Sequence, residues 1–191
     1  VYTDARILVI GAHQPVEYMR SYLGPYRILT SDLIVLTMCE PPMADQAKVD
    51  EMVEAINEIN PGCTVVKTVF RPRPIGDIKG KRIALTLTAP AIMTDAISAY
   101  LEKTYDCEVV GASPYLSNRP LLRKDLARFE ALRPDVIVSE LKAAAVDVVT
   151  AWAVESGLDI VYIDNEPIPT DASVDMEKEV LQVVGKIKSN D

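Results

Sequence analysis

Residues 83–112 read IALTLTAPAIMTDAISAYLEKTYDCEVVGA, and this stretch decides the fold. It opens on a short apolar run, 83–88, whose residues do not alternate polar with apolar. Ile92, Met93, Ala96, Ile97, Tyr100 and Leu101 then recur at helical spacing over 91–105. A second apolar run follows at 108–112. A continuous apolar strand is what a sheet covered on both faces requires, and strand–helix–strand in this order makes a right-handed crossover between parallel strands.

The same alternation extends outward. Strands are expected at 6–10, 33–38, 64–70, 136–140 and 160–163. A helix is expected over 45–60, where Val49, Met52, Val53, Ile56 and Ile59 share a face until Pro61-Gly62 stops it. The nearly all-apolar stretch 142–156 should be the most buried helix, with Gly157 as its C-cap. The last helix, 176–188, places Val180, Leu181, Val184 and Ile187 on one face. The expected class is α/β, doubly wound, with mostly parallel sheets. Residues 71–82, RPRPIGDIKGKR, form the one marked break in composition and are read as a basic linker. That division leaves a lean first part, 1–70, and a Rossmann-like α/β domain over 83–191.

Composition narrows the functional classes. The net charge of −8 over 191 residues argues against nucleic-acid binding. No apolar run approaches the ~20 residues that cross a bilayer, and no signal peptide opens the chain. Val1 in place of Met, with a strand close behind, reads as the start of a processed piece. Cys39, Cys63 and Cys107 lie far apart without CxxC spacing, which suits a reducing cytoplasm. Within this acidic chain, 71–82 carries +4 and 117–128 carries +3. Local positive charge on an acidic body points to a small anionic ligand.

In an open parallel sheet, ligands meet the carboxyl ends of strands. Polar residues in those positions include His13, Thr37, Glu40, Glu140, Lys142, Asp164 and Asn165. Glu140 ends an apolar strand and Lys142 opens an apolar helix, so each needs a partner or a ligand. The plain reading is an ion pair between these two neighbours. Asp164-Asn165 reads either as a turn and helix cap or as part of the same crevice. Asn118-Arg119 follows a strand, and Arg119 either clamps a phosphate or carboxylate or is simply solvated. Arg71, Arg73 and Lys79 belong either to a charged linker or to a phosphate funnel. His13, the only histidine, is a candidate acid–base group, although one histidine is more often structural. A histidine-based metal site is excluded by that count. No GxGxxG follows a strand, and no GxxxxGK[ST] or GxSxG occurs in the sequence.

Long strings carry a family resemblance. TDARILVIGAHQPVEYMRSYLGPYRILTSDLIVLTMCEPP (3–42), FRPRPIGDIKGKRIALTLTAP (70–90), SNRPLLRKDL (117–126), SELKAAAVDVVT (139–150) and VYIDNEP (161–167) resemble cyclic 2,3-diphosphoglycerate synthetases downstream of their P-loop. The resemblance implies an ATP-dependent ligase that closes 2,3-diphosphoglycerate into an intramolecular phosphoanhydride, releasing ADP and phosphate. It implies that 1–70 complete a P-loop ATPase-like domain related to dethiobiotin synthetase, whose other half is a missing N-terminal part. ATP and Mg²⁺ would be held largely by that half, with Thr37 and Glu40 on the nucleotide-base side. Arg71, Arg73, Lys79, Asn118, Arg119 and Lys142 would face the substrate's phosphates and carboxylate. The alternative is a non-catalytic anion-binding or oligomerisation domain of a phosphoglycerate-metabolising protein, and a homo-oligomer is left open.

Overall fold

The structure, a computed structural model, describes residues 3–188. Val1, Tyr2 and 189–191 lie outside the described residues, as do the side chains of 186–188, Ile187 among them. The chain divides into two units, Val1–Phe70 with Pro167–Asp191, and Arg71–Glu166. Each is a layered α/β arrangement around parallel strands.

Unit 1 contains β1 (Ile7–Gly11), α1 (Glu17–Arg20), α2 (Gly24–Leu29), β2 (Leu33–Thr37), α3 (Gln46–Ile59), the first part of β3 (Thr64–Pro74), and α7 (Met176–Lys188). β2 lies between β1 and β3 and is parallel to both, with Ile7 opposite Leu33 and Leu33 opposite Thr64. All five β2 residues are buried, because the pleat sends alternate side chains to opposite covered faces. Ile34 and Leu36 join Met52, Ala55 and Ile56 of α3, while Leu33 and Val35 meet Val183 of α7. Each such large side chain contributes about 1.5–3 kcal/mol by leaving water. Asp45 caps α3 by accepting from the Lys48 amide at 2.8 Å. At the other end Asn60 donates to the Ile28 carbonyl at 3.0 Å, tying α3 to the end of α2.

Unit 2 contains the end of β3, β4 (Arg82–Thr86), a 3₁₀ turn (Ala91–Met93), α4 (Thr94–Tyr105), β5 (Glu108–Ser113), α5 (Arg119–Leu132), β6 (Val136–Glu140), α6 (Val146–Ser156) and most of β7 (Asp159–Pro169). Its strands run β7-β6-β4-β5, each parallel to its neighbour. Ile83, Leu85, Val136 and Val138 pack with Leu101 of α4. On the other face, Ala84 and Ile137 pack with Leu122, Leu126 and Phe129 of α5 and Val149 of α6. The two-sided covering expected of a doubly wound fold is therefore present. α5 comes so close to β5 that a Cβ on Gly111 would lie 2.8 Å from Phe129 and Leu132 side-chain carbons.

Several elements differ from the sequence reading. β3 does not stop at Phe70 but runs to Pro74, so residues 71–74 of the basic stretch are strand. Residues 167–191 belong with unit 1, because Val183 of α7 buries against β2. On α7 the inward residues are Val180 and Val183, whereas Leu181 and Val184 are exposed. α5 is a helix that the reading passed over. Its Asn118 cap, Pro120 in the first turn, and Leu122, Leu126 and Phe129 spacing were all present, interleaved with basic residues. α6 starts at Val146, not Lys142, and buries only Val149 and Ala153, fewer residues than α3. It is apolar all round but rests on the sheet by one face, leaving Val154 in solvent. Gly157 does cap it, in the left-handed conformation at φ 67°.

Candidate functional site

β4 sits in the middle of unit 2, and its crossover leads outward to β5. The crossover from β6 leads the opposite way, to β7. Chain connections thus diverge at the carboxyl ends of β4 and β6, which opens a crevice at the place where such sheets bind ligands.

Glu140 closes β6 at that point and is only 7% exposed. One carboxylate oxygen accepts from the Thr88 amide at 2.9 Å and from the Thr88 hydroxyl. The other accepts from Asn165 Nδ2 at 3.1 Å. Thr88 lies just beyond β4, and Asn165 lies where β7 outruns its last pairing with β6, Ile163 opposite Glu140. A single carboxylate therefore ties together the exits of three strands.

The expected ion pair between Glu140 and Lys142 does not form. Lys142 is not at the start of a buried helix, and its side chain is 77% exposed with Nζ 3.2 and 3.4 Å from the two Asp164 carboxylate oxygens. Asp164 also accepts from the Asn165 amide at 3.0 Å. The hydrogen bond from Lys142 holds the Asp164 carboxyl below its ordinary 3.8, against an opposing effect of burial and with smaller help from Arg73. A depressed pKa stabilises the fold above the ordinary carboxylate range, and the contribution is lost as pH falls through the depressed value. Replacing Lys142 with Gln should raise the Asp164 pKa back toward 3.8, read by carboxyl-carbon NMR titration. An unchanged Asp164 titration would show that this pairing does not persist in solution.

Two arginines border the same strand exits. Arg73 Nε lies 3.7 Å from Glu166 Oε2, and the Arg71 guanidinium stacks 5.6 Å from the Tyr100 ring centre. Tyr105 donates to the Pro72 carbonyl at 3.4 Å and meets Tyr100 edge to face. Helical spacing over 91–105 includes these tyrosines without showing what they touch. In the structure they support the strand that carries the arginines.

The other predicted residues have different placements. Arg119 contacts Asp147 at 2.8 Å and the Ala144 carbonyl at 2.9 Å, joining α5 to the start of α6. This hydrogen bond also holds the Asp147 carboxyl below its ordinary value. Asn118 caps α5 by accepting from the Leu121 amide at 3.3 Å. Lys79 lies in the turn before β4, where Gly80 N donates to the Asp106 carbonyl just ahead of β5. That is the amino end of the strands, opposite Glu140. In unit 1, the Thr37 hydroxyl is buried and donates to the Ile10 carbonyl at 3.2 Å. Gly11 lets the His13 ring fold back over the end of β1, since a Cβ there would lie 2.5 Å from the imidazole. The Glu40 carbonyl accepts from Met43 N and Ala44 N at 3.0 Å each. His13, Thr37 and Glu40 thus share strand exits in unit 1, while Glu140, Lys142, Asp164 and Asn165 share those of unit 2.

Among the described residues, no group of three or more His, Cys, Asp or Glu side chains could hold a metal ion. No helix among them is long and apolar enough to cross a membrane.

Comparison with known proteins matches both parts of the chain to one family. Residues 1–69 match the P-loop domain of cyclic 2,3-diphosphoglycerate synthetase, and residues 74–166 match its C-terminal domain. The cyclic 2,3-diphosphoglycerate synthetase of Methanothermus fervidus is 45% identical over 185 residues, covering 96% of this chain and 40% of that protein. The protein of that name from Rubrobacter xylanophilus is 47% identical over 168 residues, 88% of this chain and 38% of its own length. That from Thermococcus sibiricus is 42% identical over 188 residues, 98% of this chain and 42% of its own. The chain spans about two fifths of the length of these relatives. With both domain families matched in order and this identity sustained along it, the chain belongs to the cyclic 2,3-diphosphoglycerate synthetase family.

Proposed function

We propose that the chain works within a longer, ATP-dependent synthetase that closes 2,3-diphosphoglycerate into an intramolecular phosphoanhydride, and that the strand-exit crevice of unit 2 receives this substrate. The observation that carries the proposal is the position of Lys142 and Arg73 beside the clamp made by Glu140, Thr88 and Asn165. Both cations are paired with exposed carboxylates, contacts that water screens strongly. A phosphate or carboxylate of the substrate can replace those partners with little loss, and Arg73 can grip it through a planar fork.

Closure makes one bridging oxygen between two phosphates of the same molecule, while ATP becomes ADP and inorganic phosphate. The two phosphates repel each other, and bringing them into contact is the part of the barrier that a protein can lower by position and charge. Lys142 and Arg73 would neutralise the substrate as its phosphates approach. Among the described residues Glu140 meets the neutral donors of Thr88 and Asn165, so its part is to fix these two residues at the border of the crevice. ATP would supply the energy and the leaving phosphate. Lys142 and Arg73 are assigned to the substrate, while Thr37 and Glu40 at the strand exits of unit 1 remain the candidates for the nucleotide-base side.

Phosphorus NMR of the longer synthetase with ATP, Mg²⁺ and 2,3-diphosphoglycerate tests the reaction. The expected result is loss of both phosphomonoester resonances and appearance of anhydride resonances, with one ADP per product. ATP hydrolysis that leaves both monoester resonances intact would contradict it.

A further inference from the structure

A row of hydroxyl groups crosses the sheet of unit 2 where its strands end. Ser113 of β5 lies opposite Thr86 of β4, Thr86 opposite Ser139 of β6, and Ser139 opposite Tyr162 of β7. Ala84 and Ile137, two residues earlier on β4 and β6, pack in one cluster with residues of α5 and α6. Side chains two apart share a face of a strand, so Thr86 and Ser139 point toward those helices as well. Ser113, Thr86 and Ser139 are wholly buried.

Three of the four hydroxyls have partners. Thr86 Oγ1 donates to the Val138 carbonyl at 3.4 Å, and Ser113 Oγ accepts from the Tyr115 amide at 3.4 Å. The Tyr162 hydroxyl meets Thr150 Oγ1 at 2.9 Å. Ser139 Oγ, in the middle of the row, has no hydrogen-bond partner among the described residues. A buried hydroxyl without a partner lowers stability, and alanine would fill the same place without that cost. A polar group from which the fold gains nothing points to a ligand that it serves.

The cover above Ser139 is a turn of mostly small residues. Residues 141–145 lead from β6 into α6 and read LKAAA. Ala145, the N-cap of α6, packs in the same cluster as Ile137 and supplies no capping side chain. Asp147, the acid of the first turn, is held by Arg119 at 2.8 Å. The start of α6 thus brings backbone donors and the positive end of a helix above an unpartnered hydroxyl. Lys142 is carried on the same turn.

We propose that Ser139 and the start of α6 form a subsite for the carboxylate of 2,3-diphosphoglycerate, which enters beneath the turn of residues 141–145. The inference rests on the proposed reading that the crevice receives this substrate. With Lys142 and Arg73 engaged by the two phosphates, the third anionic group is left to neutral donors. A hydroxyl and backbone amides suit a carboxylate, whose charge does not change as the anhydride closes.

Calorimetric titration and urea denaturation of this chain and its Ser139→Ala variant test the subsite. Each is titrated with 2,3-diphosphoglycerate and with 1,2-ethanediol bisphosphate, which keeps both phosphates and lacks the carboxylate. Ser139→Ala is expected to bind 2,3-diphosphoglycerate about 10-fold more weakly, the scale of one hydrogen bond to a charged group. Its affinity for 1,2-ethanediol bisphosphate should equal that of the wild type, and its urea midpoint should stay level or rise. Equal affinity of the two chains for 2,3-diphosphoglycerate would overturn the subsite. So would a loss of the same size for both ligands, or a lowered urea midpoint, which would make Ser139 a structural group. If neither chain binds either bisphosphate, the crevice reading itself fails and the subsite falls with it.

Discussion

Replacing Glu140 with alanine should lower the unfolding free energy by about 3 kcal/mol, the upper end for hydrogen bonds to a charged acceptor, because a buried carboxylate that accepts three of them is lost. The carboxylate is almost wholly buried and accepts three hydrogen bonds from two other strand exits. Its removal takes the shared acceptor from the Thr88 amide and hydroxyl and the Asn165 amide group together, and such losses within one network exceed those of separate bonds. Glu140→Gln keeps the shape but turns an NH₂ toward donors on one side, so it should fall between the wild type and alanine. Lys142→Ala is the contrast. Its pairing with Asp164 is open to solvent, and the urea midpoint should scarcely move. Urea denaturation of the three variants checks the order. A Glu140→Ala midpoint equal to that of Lys142→Ala would mean that the carboxylate is not the clamp described above.

The second large effect falls on substrate affinity. Arg73→Ala combined with Lys142→Ala should raise the KM of the longer synthetase for 2,3-diphosphoglycerate by roughly 10–100-fold, since each charge-assisted contact is worth on the order of 1.5 kcal/mol or more and ~1.4 kcal/mol is tenfold. The KM for ATP should change little, because these residues are assigned to the substrate. Arg119→Ala separates the role of charge from that of position. It removes a cation already committed to Asp147 and the Ala144 carbonyl, so its effect should appear in stability before affinity. Steady-state kinetics with each substrate varied in turn gives the comparison, and a raised KM for ATP alone would move these residues out of the substrate site.

Strand positions were legible because parallel strands covered on both faces are short apolar runs. Among the described residues all seven begin within about one residue of their expected starts. β3 nevertheless runs on to Pro74, and β7 to Pro169 through Asp164 and Asn165, for which a turn was one reading. α3 was legible for a similar reason, as its apolar stripe ends at an evident stop. α5 was not, because basic residues interrupt its stripe and drew attention as charge. The mismatch at α6 is instructive: an apolar helix signals burial only where both sides have neighbours. For the site, the need for partners at Glu140 followed from a charge at the end of an apolar strand. The partners themselves did not. Thr88 and Asn165 lie 52 and 25 residues away and are neutral, whereas the reading looked for the nearest opposite charge. Lys79 was conspicuous as charge, but its turn lies at the amino end of β4. Only the pairing of strands shows which end a loop occupies.

The central claim is that the carboxyl ends of β4, β6 and β7 form the anion site of this chain. Calorimetric titration of the 191-residue chain with 2,3-diphosphoglycerate tests it most directly. The account predicts one binding event that weakens with added salt, is lost in Arg73→Ala with Lys142→Ala, and survives in Lys79→Ala. A folded chain that binds no 2,3-diphosphoglycerate, or one whose binding depends on Lys79 and not on Arg73 and Lys142, would contradict it.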